Sequence, residues 1–527
     1  MNEESLNPSP NTNPESSSQA GSVAAPLPTP SEHTSQHTLT INNQQLSYEA
    51  TVGTINIDTD KVKPAASIFY TACNLLDKTG KSDNTRPVTF AFNGGPGASS
   101  TFLLMGSIGP KRINIPDAAP VPGSPYELSD NPYSILPFSD IVFIDAAGAG
   151  FSKIVPAAKK ELWSVDGDVK GFSTFIRAYL SKYHRWNSPK YILGESYGTT
   201  RGSALAYQLQ EGGIALNGLI LLSSILDYAY TFATSDQYYI GYFPTYAAIG
   251  KYQGKAGDNT SMSDHLLAAR AFANGPLRQA LSQGDRLDEA TREKVAQQYS
   301  ELTGLTEQYV LDSNLRVIDP RFRKELLRSQ GKIVGRYDAR TTGYDLDVIS
   351  DDETFVVDDS FLNPAYSSLS SAYLRDHLGW DGQDERIDFA DFDWNSMEPG
   401  KGWTWWHQLP EHSLSSWGRT LPFPKVTPDL AATIIRQPTL KVMICNGIFD
   451  LATPFGQTEY DIDHMGLPEP LQANIAFTYY PAGHMVYTNP ESAEKFSQVL
   501  QRFYSSSAED MPKLNERPEL AHGYGIN

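Results

Sequence analysis

The chain reads as an α/β protein, with a mostly parallel central sheet flanked by helices and a large, mainly helical cap inserted in it. Two observations predict this. Short apolar runs alternate with helical segments over residues 38 to 227 and again over 436 to 505. The alternation lapses from 228 to 435, where the residues read as mostly helical. Strands that read as continuous apolar runs belong to sheets covered on both faces.

Ordered structure is expected to begin near His37. Thr38–Ile41 and Leu46–Ile57 alternate apolar and polar residues around Asn42-Asn43, a hairpin signal. Ala66–Ala72 and Val88–Phe92 read as strands, the second ending in Asn93-Gly94-Gly95-Pro96-Gly97. Ile141–Ile144 is a buried strand closed by Asp145. Leu162–Tyr183 reads as one helix, because Val169, Phe172, Ile176, Tyr179 and Tyr183 fall on one face. Lys190–Leu193 is a strand, Thr199–Gln210 a helix and Leu219–Leu222 a strand. In the cap, Val295, Tyr299 and Leu302 keep helical spacing and Phe322–Leu327 reads as another helix. The pattern resumes with strand Leu440–Cys445, strand Ile475–Tyr480 and a helix from Glu491 to about Tyr504, and residues 506–527 form a tail.

Bulk composition narrows the function classes. The chain has 527 residues, 40% of them hydrophobic, enough for a sizeable core. A net charge of −19 argues against a phosphate-binding surface, so nucleic acid is not an expected partner. No run of about 18 apolar residues occurs, so no membrane span is expected. Residues 1–37 are rich in Ser, Pro and Asn, nearly devoid of large apolar side chains, and are expected to be disordered. No signal peptide is visible, which leaves both a cytoplasmic protein and an exported one with its signal removed. Cys73 and Cys445 read as buried thiols, with one long-range disulfide as the alternative.

Gly194-Glu195-Ser196-Tyr197-Gly198 matches G-x-S-x-G. It follows a strand and opens a helix, the sharp elbow that exposes a nucleophilic serine in the α/β-hydrolase fold. A serine hydroxyl needs a base, and the base an orienting carboxylate. In this fold they follow in the order Ser, acid, His. Asp450 lies just past strand Leu440–Cys445, and His484 just past strand Ile475–Tyr480. Ser196, Asp450 and His484 therefore all fall at the C-terminal ends of strands, where such sheets bind ligands. The oxyanion needs preorganised N–H donors. Tyr197 supplies one, and the Asn93–Gly97 turn the other. This machinery suffices for acyl transfer, so no metal or other cofactor is expected. The acidic stretch Asp345–Asp359 reads as a solvated loop, with a cation site as the alternative. Trp403, Trp405 and Trp406 line a substrate cleft or fill the core of the cap.

These residues resemble the serine carboxypeptidase family, peptidase family S10. The blocks Asn93–Ser100, Gly194–Gly198 and Gly483-His484-Met485-Val486 are similar to that family's signatures, as are Gly109-Pro110 and Asp145 with Gly150-Phe151-Ser152. The likeness runs from roughly residue 50 to 503, and Asp450–Phe455 looks like the bacterial branch. The resemblance implies removal of single residues from peptide C-termini, usually at acidic pH, with peptides as the substrates. It implies Gly95 and Tyr197 as oxyanion donors. It implies Asn93 and Glu195 as holders of the substrate carboxylate, with Met485 lining the leaving-group pocket. Three positions depart from the family pattern: Ala91 replaces a Trp, Ser107 a second Glu and Ala98 a half-cystine. An esterase or acyltransferase with the same triad is the first alternative, and a non-catalytic binding protein on the same scaffold the second.

Overall fold

The computed structural model describes residues 27–382, 384–411, 413 and 418–518. Its centre is one mixed sheet. The strands are β1 Glu32–Ile41, β2 Gln44–Ile57, β3 Ala66–Leu75, β4 Val88–Phe92, β5 Asp140–Ile144, β6 Lys190–Glu195, β7 Gly218–Leu222, β8 Lys441–Gly447 and β9 Ile475–Tyr480. They lie in the order β1-β2-β3-β5-β4-β6-β7-β8-β9, with Lys153–Ile154 pairing β3 at one end. β1, β2 and β3 are antiparallel, and β3 meets β5 antiparallel; from β5 onward every neighbour is parallel. This is the α/β-hydrolase architecture expected from the motif context.

The parallel strands are apolar on both sides because both faces are covered. In β6, β7 and β8 successive side chains alternate between two cores. Tyr191, Leu193, Ile220, Leu222, Met443 and Cys445 enter one, and Ile192, Leu219, Leu221, Val442 and Ile444 the other. The second face is covered by α1 Pro156–Leu162, α2 Val165–Lys182, α3 Tyr197–Glu211 and α6 Thr427–Arg436, through residues such as Phe172, Leu205 and Ile434. The first is covered by α8 Pro490–Ser505, through Phe496, Val499, Leu500 and Phe503. The insertion between β7 and β8 holds α4 Asp236–Tyr252, the helices Met262–Phe272 and Glu289–Thr303, and α5 Val357–Ala372. The core around α4 is shared with Phe449, Leu451 and Phe455, the last opening α7 Phe455–Asp463, so the insertion is welded to the sheet's C-terminal edge.

Several boundaries differ from the sequence expectation. Glu32–His37, assigned to the disordered tail, belongs to β1 and pairs residue by residue with β2, Glu32 opposite Gly53. Its polar composition reflects an edge strand whose order comes from backbone pairing and from Glu32, which accepts hydrogen bonds from the Tyr183 hydroxyl at 2.7 Å and Lys182 Nζ at 2.5 Å. Residues 27–31 are described outside any strand or helix, with Ser31 O accepting from Thr54 N at 2.9 Å, and residues 1–26 lie outside the described residues. The hairpin turn is at Asn42 and Asn43, with φ of 51° and 61°, as a tight two-residue connection requires. The helix expected over Leu162–Tyr183 starts three residues later, at Val165, because Ser164 caps it and accepts a hydrogen bond from Gly167 N at 3.1 Å; Leu162 ends the separate helix α1. α6, placed in the cap by sequence, buries Leu430 and Ile434 against the sheet layer. In the C-terminal tail, Ala508–Leu514 forms a 3-10 turn that buries Met511 and Leu514. Both cysteines are free and buried. In the acidic stretch, Asp345 pairs with Lys324 and Asp358 is buried under backbone donors, so the segment is more than a solvated loop.

One ion pair ties these layers together. Arg201, fully buried on α3, donates to Asp168 Oδ2 on α2 at 2.6 Å and to Asn93 O after β4 at 2.8 Å, and lies over the Phe172 ring. Removing one partner of a buried pair strands the other's charge, at a cost of about 3–5 kcal/mol. Arg201→Ala should lower stability by about that amount in urea unfolding; a loss below about 1 kcal/mol would show that the pair is incidental.

Candidate active site

The turn between β6 and α3 holds Ser196 at φ 61°, ψ −130°, a backbone region that a non-glycine residue enters only under constraint. The constraint is steric. A Cβ at Gly194 would fall 2.0 Å from Gly198 O, so the elbow closes only around glycine. Ser196 N donates to Leu222 O at 3.0 Å, fastening the elbow to the end of β7. The turn after β4 lies directly against it: a Cβ at Gly94 would sit 2.4 Å from Tyr197 N. Among the described residues, neither Gly95 N nor Tyr197 N is hydrogen bonded to a protein acceptor, so two adjacent N–H groups remain free for a developing oxyanion.

Three residues past β8, Asp450 is completely buried. Its Oδ1 accepts from Ala452 N at 2.8 Å and Thr453 N at 3.0 Å, and its Oδ2 from the Thr453 hydroxyl at 2.6 Å. Oδ2 also meets His484 Nδ1 at 2.7 Å. Burial works against the imidazolium, but the Asp450 carboxylate outweighs it, with help from Glu195, so the proton affinity of His484 is raised. The base loop is fixed from two sides, by Tyr337 O accepting from His484 N at 2.6 Å and by the Ser223 hydroxyl donating to His484 O at 2.5 Å. Ser196 Oγ and His484 are not hydrogen bonded to each other in this substrate-free geometry; such contacts tighten when substrate binds.

Ser196 opens into a cavity of about 750 Å³. Gly95, Ala452 and Thr453 lie at its catalytic end, and Tyr228, Tyr238, Tyr242 and Arg336 are among its walls. Trp403, Trp405 and Trp406 also line it, and Trp403 is at the same time buried against the Tyr197 ring, outside the core around α4. Asn93 and Glu195 adjoin each other behind the nucleophile, 5% and 2% exposed, and neither is part of the cavity wall. Asn93 Oδ1 accepts from Leu103 N at 3.0 Å. Glu195 accepts from the Tyr487 hydroxyl at 3.1 and 2.9 Å. Burial pushes the Glu195 carboxyl up to about 7, against the pull of His484 and the Tyr487 hydroxyl. Met485 is 8% exposed and borders a separate small depression beside Asp358 and Thr488. Ser107 is buried with its hydroxyl unpaired.

Sequence reasoning missed Tyr487, Tyr337, Ser223 and Arg336. Tyr487 stands three residues past His484, within reach of the motif. The other three carry no local signal, because their roles come from contacts far along the chain.

Comparison with known proteins finds likeness to serine carboxypeptidases. The family model for serine carboxypeptidases matches residues 42–261. Serine carboxypeptidase-like 13 of Arabidopsis thaliana is 29% identical over 187 residues, 34% of this chain and 41% of that protein. Serine carboxypeptidase-like 12 of the same plant is 29% identical over 204 residues, 37% of this chain and 43% of that protein. The chain thus spans less than half the length of these curated relatives. Among solved structures, Kex1Δp, a prohormone-processing carboxypeptidase from Saccharomyces cerevisiae, superposes with a TM-score of 0.49 at 16% identity, covering 87% of this chain and 91% of that one. The proline iminopeptidase of Mycobacterium smegmatis gives 0.33 at 12% identity, over 89% and 98%. The sequence likeness to serine carboxypeptidases thus covers part of the chain. The stretch matched by the family model contains Ser196 and the Asn93–Gly97 turn; Asp450 and His484 lie beyond it.

The Tyr487 contact is testable. Its hydroxyl favours the ionised form of Glu195, and a hydrogen bond to a charged group contributes about 1.5–3 kcal/mol. Tyr487→Phe should therefore move the Glu195 titration upward by about 1–2 pH units, followed through the carboxyl stretch in infrared difference spectra. An unmoved titration would mean that Tyr487 does not hold Glu195.

Proposed function

We propose that the chain is a serine-type carboxypeptidase of the bacterial-type branch, releasing C-terminal residues from peptides through an acyl-enzyme intermediate. The observation that supports this most is the strained Ser196 elbow, with two free N–H groups beside it and an Asp450–His484 pair at neighbouring strand ends. His484 takes the proton of Ser196 Oγ as the oxygen attacks the scissile carbonyl. Gly95 N and Tyr197 N receive the oxyanion. Collapse breaks the C–N bond, and His484 passes its proton to the departing amine. Water, deprotonated by His484, then releases the acyl group and restores Ser196. In this reading Asn93 and Glu195 hold the substrate's terminal carboxylate and Met485 borders the leaving residue.

Glu195 sets the pH dependence. An ionised Glu195 facing a substrate carboxylate at about 4 Å would repel it by roughly 4 kcal/mol at an effective dielectric near 20. Only the protonated acid donates a hydrogen bond to a carboxylate. Its pKa is raised to about 7, so the binding-competent form persists below that pH and is lost above it. The acidic limb belongs to His484, which acts only when neutral.

An esterase or acyltransferase is the second reading. It is favoured by the burial of Asn93 and Glu195 away from the cavity wall and by Ser107 in place of a second acid. A non-catalytic scaffold is disfavoured because the triad is complete.

Ser196→Ala should abolish turnover, by about a million-fold in kcat where chemistry limits, without unfolding the chain. For an N-blocked dipeptide acid, kcat/KM should fall as pH rises through about 7, while the matching ester escapes this limb and Glu195→Gln flattens it. Coincident profiles for acid and ester, unchanged by Glu195→Gln, would hand the assignment to the esterase reading.

A further inference from the structure

Arg336 is a cation without a counter-ion in the wall of the catalytic cavity. Its backbone is pinned at both ends: its N–H donates to Asp358 Oδ1 at 3.2 Å, and its carbonyl accepts from Leu451 N at 3.0 Å. Its guanidinium makes one hydrogen bond, from Nη1 to the Tyr337 hydroxyl at 3.3 Å. A guanidinium carries five N–H donors, so most of its capacity is unused. No carboxylate lies within ion-pairing distance of it among the described residues, unlike Arg323, Arg340 and Arg270, which are all paired.

The acidic groups that face Arg336 are Asp319, Asp359 and Asp450. Asp319 is engaged by Arg323 Nε at 3.2 Å and by the Tyr238 hydroxyl at 3.1 Å. Asp450 is committed to Thr453 and His484. These charges hold Arg336 firmly protonated without occupying its donors. The cavity around it is walled by Tyr228, Tyr238, Tyr242 and Trp405, with Asp319, already bonded to Arg323 and Tyr238, as an acidic group in the same wall. Aromatic walls exclude water and strengthen a charge-assisted pair formed inside. The position is also close to the chemistry: the Tyr337 ring, whose hydroxyl Arg336 touches, is centred 5.4 Å from the His484 ring.

The geometry points to Arg336 as a specificity residue that anchors a carboxylate of the substrate in the cavity beside Ser196. That carboxylate is either an acidic side chain of the residue forming the acyl group or the terminus of the peptide. The inference deepens the peptidase reading and rests on it for the choice of substrates. It also supplies what Asn93 and Glu195, buried behind the nucleophile, do not: a positive charge exposed to the substrate.

Two substrate pairs separate the sources. One compares N-blocked dipeptides with Glu or Gln as the acyl residue. The other compares a dipeptide acid with its amide. In at least one pair the wild type should prefer the carboxylate by about 10- to 100-fold in kcat/KM, mainly through KM. Arg336→Met should bring that ratio close to one, and Arg336→Lys should retain part of it, since an ammonium keeps the charge but not the fork. Folding of each variant is checked by fluorophosphonate labelling of Ser196. A preference in the first pair assigns the side chain, and in the second the terminus. Where no peptide is turned over, protection from that labelling reads the same preferences, by N-acetylglutamate against N-acetylglutamine for the side chain and by N-acetylglutamine against its α-amide for the terminus, so loss of the peptidase reading stays distinct from loss of this one. No preference in either pair, or one that survives Arg336→Met, overturns the inference.

Discussion

The parallel register of β6, β7, β8 and β9 is the constraint on which the site depends. Leu222 lies opposite both Glu195 and Cys445, and Cys445 lies opposite Thr478, so the four strands end nearly level. Chain leaving three of these ends carries Ser196, Asp450 and His484. The fourth end contributes Ser223, whose hydroxyl binds the carbonyl of the base. A slip of one residue in any of these pairings would exchange the two buried cores and carry a catalytic group off the edge. The apolar alternation that covers both faces of the sheet therefore also sets the catalytic geometry.

The insertion completes this geometry. Its segment Arg336–Ala339 runs along the acid and base loops as a backbone splint. Leu451 N donates to Arg336 O, Ala339 N to Phe449 O and His484 N to Tyr337 O. The splint is itself held by Asp358, which accepts from Arg336 N and Asp338 N, and by Arg340, which bridges Asp338 and Asp117. A region that reads in sequence as an inserted cap is thus part of the scaffold that orients His484, and it brings Arg336 into the cavity.

What the sequence revealed follows from the range of the interactions involved. Ser196, Asp450 and His484 were legible because each sits a few residues past a strand with its own apolar signature, in the chain order that the fold requires. The Asn42-Asn43 turn and the elbow were legible because their backbone angles demand particular residues. The first half of β1 was not, since its order comes from pairing with β2 and its side chains stay polar. The cap on Ser164 was hidden within an unbroken helical periodicity. Asp358 looked like one acid among many, and only the fold brings the backbone of residues 336–338 to it. Asn93 and Glu195 stood out in their motifs, but their burial behind Ser196 and the Tyr487 hydroxyl on Glu195 arise from packing that no local pattern encodes.

The central claim is that Ser196 is activated by the Asp450–His484 pair, independently of which substrate is cleaved. Mass-spectrometric mapping of a fluorophosphonate adduct, followed as a function of pH, tests it most directly. The account predicts one adduct, on Ser196, forming at a rate that rises as His484 loses its proton and collapses in His484→Ala. Modification of another residue, or a Ser196 rate indifferent to both pH and His484, would contradict it.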